Sequence, residues 1–427
     1  MTRRLSFPLS LALLAGLPAL AADWPQWRGP ALSGTSPERS LAVKWSGSDG
    51  VVWKLALPAG GGATPIVSGD RVYLNVADGD TVHLWAVDRK TGAPLWKKAL
   101  GPAAGHAHRK HNMATPSPVT DGKRVWAMTG QGVLKGFEAD GRELWVRDLQ
   151  KEYGAFGLNW GYGSSPLLVE GVLYVPVLHG MKTDDPSYLV GVDAATGQNR
   201  FRVERPTTAH TESPDAYTTP TVARKDGKVE IVLTGGDVVT GHDPATGKEL
   251  WRANGLNPGN DPFYRIVASP LAVGDIVVAP TRVKPMLVLK AFGRGDVTKS
   301  GLLWSFDQGP DVPTPTSDGI LLYVVTDKGL LSCFDLATGK QHYGPQRLRV
   351  ATYSSSPLLA DGRLYITDED GVTSVVKAGT TFELLAENAL DGGFTVSSPV
   401  AASGQLFIRT KGHLFAIGAP ATKAAAR

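Results

Sequence analysis

Three histidines within six positions are the most conspicuous chemical feature of the sequence. They lie in His106-Ala-His-Arg-Lys-His111, and the whole chain has nine histidines. Neutral imidazoles at this spacing suit Zn²⁺ or Cu²⁺. However, the segment contains no Asp, Glu or Cys, and Arg109 and Lys110 would repel a cation. We therefore predict a solvated basic loop here and assign no metal site.

Aromatic side chains are concentrated in the segments that follow. The stretch 153–163 is rich in Tyr, Phe, Trp and Gly, and further rings precede later apolar runs. Such rings suit a binding platform for a peptide strand or a glycan, although they also suit simple packing. Together with the histidines they make up the candidate binding surface. Its residues are His106, His108, His111, Trp160, Tyr162, Tyr217, Tyr264, Arg265, Tyr353 and Phe394.

No catalytic set is evident in the sequence. The carboxylates of Asp368-Glu-Asp370 resemble a calcium or acid–base cluster, but they lie where a polar hairpin turn is expected. Cys333 is the only cysteine, which excludes an intrachain disulfide, and its apolar surroundings predict a buried thiol. No Ser/His/Asp signature or phosphate-binding loop stands out. We assign no catalytic residue and favour a non-catalytic protein.

Composition indicates a soluble, exported, all-β protein. Of its residues 42% are hydrophobic and 20% charged, while Gly 50, Pro 30 and Trp 11 indicate many turns and many large rings. The net charge of +4 is too balanced for a nucleic-acid partner. Residues 1–21 have the pattern of a signal peptide, and their apolar run is too short to span a membrane. We expect a periplasmic or secreted protein that is a monomer.

A repeated turn motif organises the chain. Asp243-Pro-Ala-Thr-Gly-Lys-Glu-Leu-Trp251 places an acid, a Gly four residues later and an aromatic residue four further on. Asp can bond to backbone N–H groups ahead of it, and Gly can take a positive φ, so the motif predicts a hairpin. The aromatic residue is expected to pack between neighbouring units. The predicted docking residues are Asp88, Gly92, Trp96, Gly141, Trp145, Asp193, Gly197, Phe201, Asp243, Gly247, Trp251, Asp335, Gly339 and Tyr343.

A second marker gives the period. A small or hydroxyl residue precedes a proline eight times, and these prolines are 42 to 54 residues apart. This period, with about four strands per copy, is typical of propeller blades. The last copy lacks a fourth strand, and 51–55 resembles a fourth strand without partners.

The sequence therefore predicts an all-β fold, an eight-bladed β-propeller of four-stranded antiparallel blades. An N-terminal strand completes the last blade, which removes an open edge. We divide the chain into a signal peptide (1–21), an N-terminal extension that packs on the propeller (22–50), the propeller itself (51–418) and a flexible tail (419–427). The candidate binding residues then surround the mouth of the central channel.

The repeat resembles that of the quinoprotein-type β-propellers, which are named after pyrroloquinoline quinone. The opening Trp-Pro-Gln-Trp-Arg-Gly-Pro resembles exported bacterial members similar to the propeller lipoprotein of the outer-membrane barrel assembly machinery. The resemblance implies the fold and blade-to-blade docking by the aromatic residue. The enzymes of the family carry a catalytic Asp, a calcium-holding carboxylate and amide, and aromatic stacking on the quinone. Methanol-type members add an adjacent-cysteine disulfide, which a single cysteine excludes here.

Three functions remain open at this point. The first is a non-catalytic scaffold that binds an envelope protein or polymer through its loops. The second is a pyrroloquinoline-quinone-dependent alcohol or sugar dehydrogenase with a reduced active site, although no cofactor is predicted. The third is a propeller that binds or cleaves glycans with its aromatic residues. Function is expected on loops because a rigid scaffold positions them.

Overall fold

The computed structural model describes residues 23–282 and 284–418. The chain forms eight mostly antiparallel sheets, each built on four strands, and they follow one another around a ring. This confirms the prediction of an eight-bladed propeller. The predicted signal peptide (1–21) and the predicted flexible tail (419–427) lie outside the described residues.

Each blade contains strands a to d, from the central channel outwards. The strands of blades 1 to 4 are Ile66–Ser68, Arg71–Asp78, Thr81–Asp88 and Pro94–Pro102; Val119–Thr120, Arg124–Met128, Val133–Glu138 and Glu143–Asp148; Leu167–Val169, Val172–Val177, Tyr188–Asp193 and Asn199–Glu204; Thr221–Lys225, Lys228–Gly235, Val238–His242 and Glu249–Ala253.

The strands of blades 5 to 8 are Leu271–Val273, Ile276–Ala279, Met286–Lys290 and Leu302–Phe306; Thr316–Ser317, Leu321–Val325, Leu330–Asp335 and Gln341–Arg347; Leu358–Ala360, Arg363–Thr367, Val372–Lys377 and Leu384–Ala389; Val400–Ala402, Gln405–Arg409, His413–Gly418 and Val51–Ala56. Two further strands are Thr35–Ser36 and Gly295–Asp296, and a short helix spans Leu149–Tyr153. Among the described residues, no helix has the length and apolar character needed to cross a membrane.

The ring closes through its N-terminal strand. Val51–Ala56 pairs in antiparallel fashion with His413–Gly418 and becomes strand d of blade 8. Without this pairing, strand c of the last blade would expose unpaired backbone groups. The predicted closure is therefore confirmed, and it ties the two ends of the propeller together.

The repeated turn has the bonding that its sequence predicts. The Asp243 carboxylate accepts hydrogen bonds from the N–H groups of Ala245 and Thr246 and from the Thr246 hydroxyl, at 2.8–3.0 Å. Gly247 has φ +72°, which an L side chain rarely adopts. The same threonine-to-carboxylate bonds recur at Asp88, Asp193 and Asp335.

The aromatic residues connect one blade to the next. Trp96 of blade 1 donates its indole N–H to Ala139 O, at 3.1 Å, in the c–d turn of blade 2. A Cβ at Gly141 would lie within 3.0 Å of the Trp96 ring, so the turn needs glycine there. Equivalent pairs are Trp53 with Arg89 and Gly92, Trp145 with Ala194 and Gly197, Phe201 with Gly247, and Trp304 with Leu336 and Gly339.

Trp251 and Tyr343 depart from this arrangement. Trp251 donates to the Glu230 carboxylate of its own blade at 2.7 Å, because the c–d connection of blade 5 is a longer excursion. That excursion carries Gly295–Asp296, which pairs in parallel with strand d of blade 4. Tyr343 packs edge-on against Phe382 of blade 7, with ring centroids 5.9 Å apart.

The N-terminal extension crosses the end of the channel at the a–b turns. Trp24 forms a β-bridge with Val67 of blade 1, and Gln26 exchanges side-chain bonds with Leu168 of blade 3. Two residues later, Arg28 bonds to carbonyls of blades 6 and 7, and Thr35–Ser36 pairs with strand a of blade 7. Because blades 3 and 7 face each other across the ring, the residues between these contacts lie over the channel axis.

Candidate functional site

A closed ring of hydroxyl groups surrounds the channel. Its eight members, here called the hydroxyl ring, directly precede the eight repeated prolines. Each backbone N–H donates to the hydroxyl of the next blade, at 2.9–3.2 Å, and the last bond, from Ser398 N to Thr64 Oγ1, closes the circle. The members are Thr64, Ser117, Ser165, Thr219, Ser269, Thr314, Ser356 and Ser398.

The hydroxyl ring surrounds a cavity of about 320 Å³. Trp27 of the N-terminal extension lines its inner end, as the crossing of the channel requires. The outer end is lined by half-buried side chains from the connections between blades, and that end is called the channel mouth below. Those side chains include His108, His111, Trp160, Tyr217 and Arg265. Five of the ten candidate binding residues therefore meet at one cavity.

The histidine loop, residues 103–115, is held by backbone carbonyls. The rings of His106 and His111 bond to Asn159 O and Trp160 O, at 2.7 and 2.8 Å. His106 also stacks on Trp160, with ring centroids 6.4 Å apart. No group of three or more His, Cys, Asp or Glu side chains within the described ranges is arranged to hold a metal ion. The two carbonyl contacts and the ring stacking fix the loop at the channel mouth.

Burial and nearby cations keep two of these imidazoles neutral. Burial lowers the pKa of His111, and partial burial lowers the pKa of His108. The positive charges of Lys110, Arg109 and Arg265 lower the pKa of His108 further. Both rings therefore offer neutral hydrogen-bonding groups at pH 7.

An ion pair crosses the channel mouth. Lys110 of the histidine loop lies 2.6 Å from the Glu369 carboxylate, which also accepts a bond from the Ser354 hydroxyl. Glu369 belongs to the b–c turn of blade 7, the hairpin tip that the sequence predicts. This turn also binds the histidine loop, which connects blades 1 and 2 on the other side of blade 8. A second cavity, lined by Lys110, Glu369 and Phe394, lies beside this pair.

Three of the candidate aromatic residues lie in the blade interior. Tyr162, Tyr264 and Tyr353 are 1%, 1% and 0% exposed. Tyr162 and Tyr353 donate their hydroxyls to Pro176 O and Arg349 O, at 2.9 and 3.1 Å. The prediction that these rings surround the channel mouth was wrong for these three. Their position before strand a turns them toward the neighbouring blade, where they bury apolar area.

Two acidic residues that sequence reasoning missed organise the mouth. Asp215 is fully buried and accepts bonds from the N–H groups of Asn159, Gly180 and Met181, at 2.7–3.1 Å. Burial raises the pKa of Asp215 to about 6, although these bonds partly oppose the effect. Glu212 accepts the Trp160 indole N–H at 2.7 Å. Neither residue belongs to a local sequence motif, because their hydrogen-bond partners lie in other connections, around residues 159–160 and 180–181.

The cavity lining does not fit a quinone with its calcium ion. Calcium takes six to eight oxygen ligands, several of them carboxylates. The lining includes one carboxylate, Asp311, and its Oδ2 lies 3.4 Å from Arg282.

Comparison with known proteins identifies the family. A family profile described as outer membrane protein assembly factor BamB matches residues 35–151, 130–299 and 288–417. The chain belongs to this family. A curated BamB from Burkholderia pseudomallei (strain K96243) is 24% identical over 373 residues, which cover 84% of this chain and 85% of that protein.

Several solved structures share the fold. A europium-containing methanol dehydrogenase has a TM-score of 0.68 at 14% identity, covering 92% of this chain and 90% of its own. BamB from Moraxella catarrhalis has a TM-score of 0.59 at 12% identity, covering 86% and 99%. A quinohemoprotein alcohol dehydrogenase from Comamonas testosteroni has a TM-score of 0.66 at 13% identity, covering 92% and 80%. At such identities the likeness concerns the fold alone.

Proposed function

We propose that this protein is an exported, non-catalytic propeller that works in outer-membrane protein assembly. It binds an envelope protein through the loop face, the face that carries the d–a and b–c connections. Membership of the BamB family along nearly the whole chain carries this proposal. The absence of a carboxylate set around the described cavity supports it, since the dehydrogenase alternative requires one.

The contact surface is expected around blades 3 to 5. Met181 and Phe263 are 36% and 60% exposed, and both lie on loop-face connections. Residues 212–215 bond to both connections. Met181 N donates to the Asp215 carboxylate at 3.1 Å, and Glu212 N donates to Pro262 O, next to Phe263, at 2.8 Å. Exposed apolar side chains on rigidly held loops favour protein association.

A photo-crosslinking experiment tests the proposal. We place a photoreactive amino acid at position 263 and, as the control, at position 320. Ile320 is 71% exposed but lies in the a–b turn of blade 6, on the opposite face. We expect a crosslink to a component of the outer-membrane protein assembly complex from position 263 and none from position 320. Crosslinks from both positions, or only from position 320, would count against the loop face.

Substitution gives a second test. The Met181→Ser, Phe263→Ser double variant is expected to bind its partner about tenfold more weakly, whereas Ile320→Ser binds normally. The alternative is tested by adding pyrroloquinoline quinone and Ca²⁺ and following dye reduction with alcohols and sugars. Turnover in that assay would contradict a non-catalytic role. Binding to an envelope polymer with no protein partner would contradict the protein-binding role.

A further inference from the structure

The hydroxyl ring has unused donors inside the propeller. Its eight members are between 1% and 7% exposed, and all of them line the cavity. Each hydroxyl oxygen accepts one backbone N–H, but none of the eight donates its own hydrogen to another described residue. Because a buried hydroxyl is stabilised by donating as well as accepting, these hydrogens favour acceptors within the cavity.

A buried arginine lies directly below one side of the ring. Arg28 is 4% exposed and donates to Pro315 O and Pro357 O, at 2.8 and 2.9 Å. These prolines follow the ring members Thr314 and Ser356. The guanidinium group therefore bonds one residue away from two ring members, although Arg28 itself does not line the cavity.

A second buried arginine lies two blades further around the ring. Arg409 is 1% exposed and donates to Asn75 O and Ala63 O, at 2.9 and 3.2 Å. Ala63 precedes the ring member Thr64. The two guanidinium groups thus bond next to the hydroxyl ring without lining the cavity, one at blades 6 and 7 and the other between blades 8 and 1.

Neither arginine has a carboxylate partner within the described chain. Within the described chain, the hydrogen-bond acceptors of Arg28 and Arg409 are all carbonyls, and Nε of each, with Nη2 of Arg409, is buried without a partner. Burial lowers the pKa of Arg28 to about 9 and of Arg409 to about 10, so both stay protonated at pH 7. Uncompensated charge in a poorly solvated interior produces a strong positive potential.

The size and walls of the cavity indicate the class of ligand. Its volume of about 320 Å³ equals about ten water molecules, more than a single inorganic oxyanion fills. Trp27 provides an apolar surface at the inner end, and Val267 and Val396 line the wall. An anion with a small carbon skeleton therefore matches the cavity better than a bare ion.

We propose that the channel cavity binds a small organic carboxylate, which accepts hydrogen bonds from the hydroxyl ring and is attracted by the nearby charges of Arg28 and Arg409, both just behind the cavity wall. This internal site is separate from protein binding at the apolar loop-face residues Met181 and Phe263. Either role can fail without the other.

Calorimetry on the intact mature protein tests the charge preference. We titrate citrate, succinate and glucose at constant ionic strength, with glucose as the uncharged probe. We expect binding of at least one carboxylate, weakened by added salt, and no binding of glucose. No heat with either carboxylate at millimolar concentrations, or an equal affinity for glucose, would overturn the proposal.

Substitution then locates the site. The Thr314→Val, Ser356→Ala double variant removes two ring hydroxyls beside Arg28 and is expected to bind the carboxylate about tenfold more weakly. Thr221→Val is the matched control, because Thr221 is equally buried but does not line the cavity. Equal losses in both variants would place the site elsewhere. The wild-type titrations decide the charge preference even if the double variant fails to fold.

Discussion

At the scale of single residues, the seam between blades 4 and 5 depends on one buried carboxylate. Glu230 is 2% exposed and accepts bonds from the Trp251 indole and Phe292 N, at 2.7 and 3.0 Å. Its other oxygen lies 2.9 Å from Arg294. The excursion of blade 5 therefore replaces the tight glycine turn found at five of the other seams, and Trp251 connects both blades through Glu230.

Replacing Trp251 is expected to weaken this seam strongly. Trp251 is 0% exposed, so Trp251→Ala should lower the free energy of unfolding by about 3–5 kcal/mol through lost burial and the loss of one hydrogen bond to buried Glu230. Chemical denaturation measures the change. Leu95→Ala, at an exposed position on strand d of blade 1, is the control and should change it by less than about 1 kcal/mol. An unchanged denaturation midpoint for Trp251→Ala would show that the ring has no docking role.

A buried histidine makes the same blade sensitive to acid. His242 Nδ1 lies 2.8 Å from Gly247 O and Nε2 lies 2.9 Å from the Thr240 hydroxyl. A neutral ring satisfies both, donating at the first and accepting at the second. Burial lowers the pKa of His242 from 6.5 to about 4. Protonation would remove the acceptor and place a charge in the blade core.

The stability of the protein should therefore fall between pH 6.5 and pH 4. Over this range the unfolded chain protonates His242 while the folded chain does not, which costs roughly 3 kcal/mol in total. His242→Gln should lose less stability than the wild type over this window in urea denaturation. His210→Gln, at an exposed histidine, is expected to keep the wild-type dependence. Parallel curves for wild type and His242→Gln would contradict the assignment.

At the scale of elements, the histidine loop is fixed by contacts with two other connections of the propeller. Its backbone and rings bond to the carbonyls of Asn159 and Trp160, and Lys110 pairs with Glu369 on blade 7. These contacts join connections that are far apart in sequence. The loop therefore divides the two cavities at the channel mouth.

Removing the Glu369 charge should loosen this loop selectively. In Glu369→Gln, we expect faster hydrogen exchange in residues 103–115, since Lys110 loses its half-buried partner. The free energy of unfolding should change by about 1 kcal/mol, as for other partly exposed ion pairs. Asp370→Asn in the same turn is the control, because Asp370 pairs with Arg349 instead. Equal exchange in all three proteins would mean that the ion pair does not hold the loop.

At the scale of the whole molecule, one strand closes the ring. Val51–Ala56 covers the edge of His413–Gly418, while the extension before it crosses the channel and contacts blades 1, 3, 6 and 7. The stability of the propeller therefore depends on the N-terminal strand as well as on the last strands of the ring. The inner end of the cavity also depends on the extension, through Trp27.

A chain without residues 23–56 should lose closure. The exposed edge of strand c in blade 8 is expected to cause self-association, together with a lower melting temperature and a broader transition. Size-exclusion chromatography and calorimetry measure both effects. A synthetic peptide of residues 23–56 added in trans should restore the monomer. A truncated monomer with an unchanged melting temperature would contradict this role of the strand.

The repeat determined the fold from sequence alone. The turn from Asp243 to Trp251 is local, since its carboxylate, threonine and glycine act within a few residues. The period of the prolines set the number of blades, and the missing fourth strand of the last copy required Val51–Ala56. A signal of this kind survives in sequence because each blade meets nearly the same neighbours.

The channel was decided by tertiary structure. The hydroxyls before the prolines are visible in sequence as a marker, but only ring closure joins them in one circle of hydrogen bonds. Arg28 lies near the start of the chain, yet its side chain bonds to carbonyls of blades 6 and 7, which are 287 and 329 positions away. Likewise, Trp160 and Tyr217 line the channel cavity. The rings of Tyr162, Tyr264 and Tyr353 are buried inside the blades instead. Equivalent positions in a repeat share a backbone path, whereas the side-chain environment depends on each connection, and the connections differ from blade to blade.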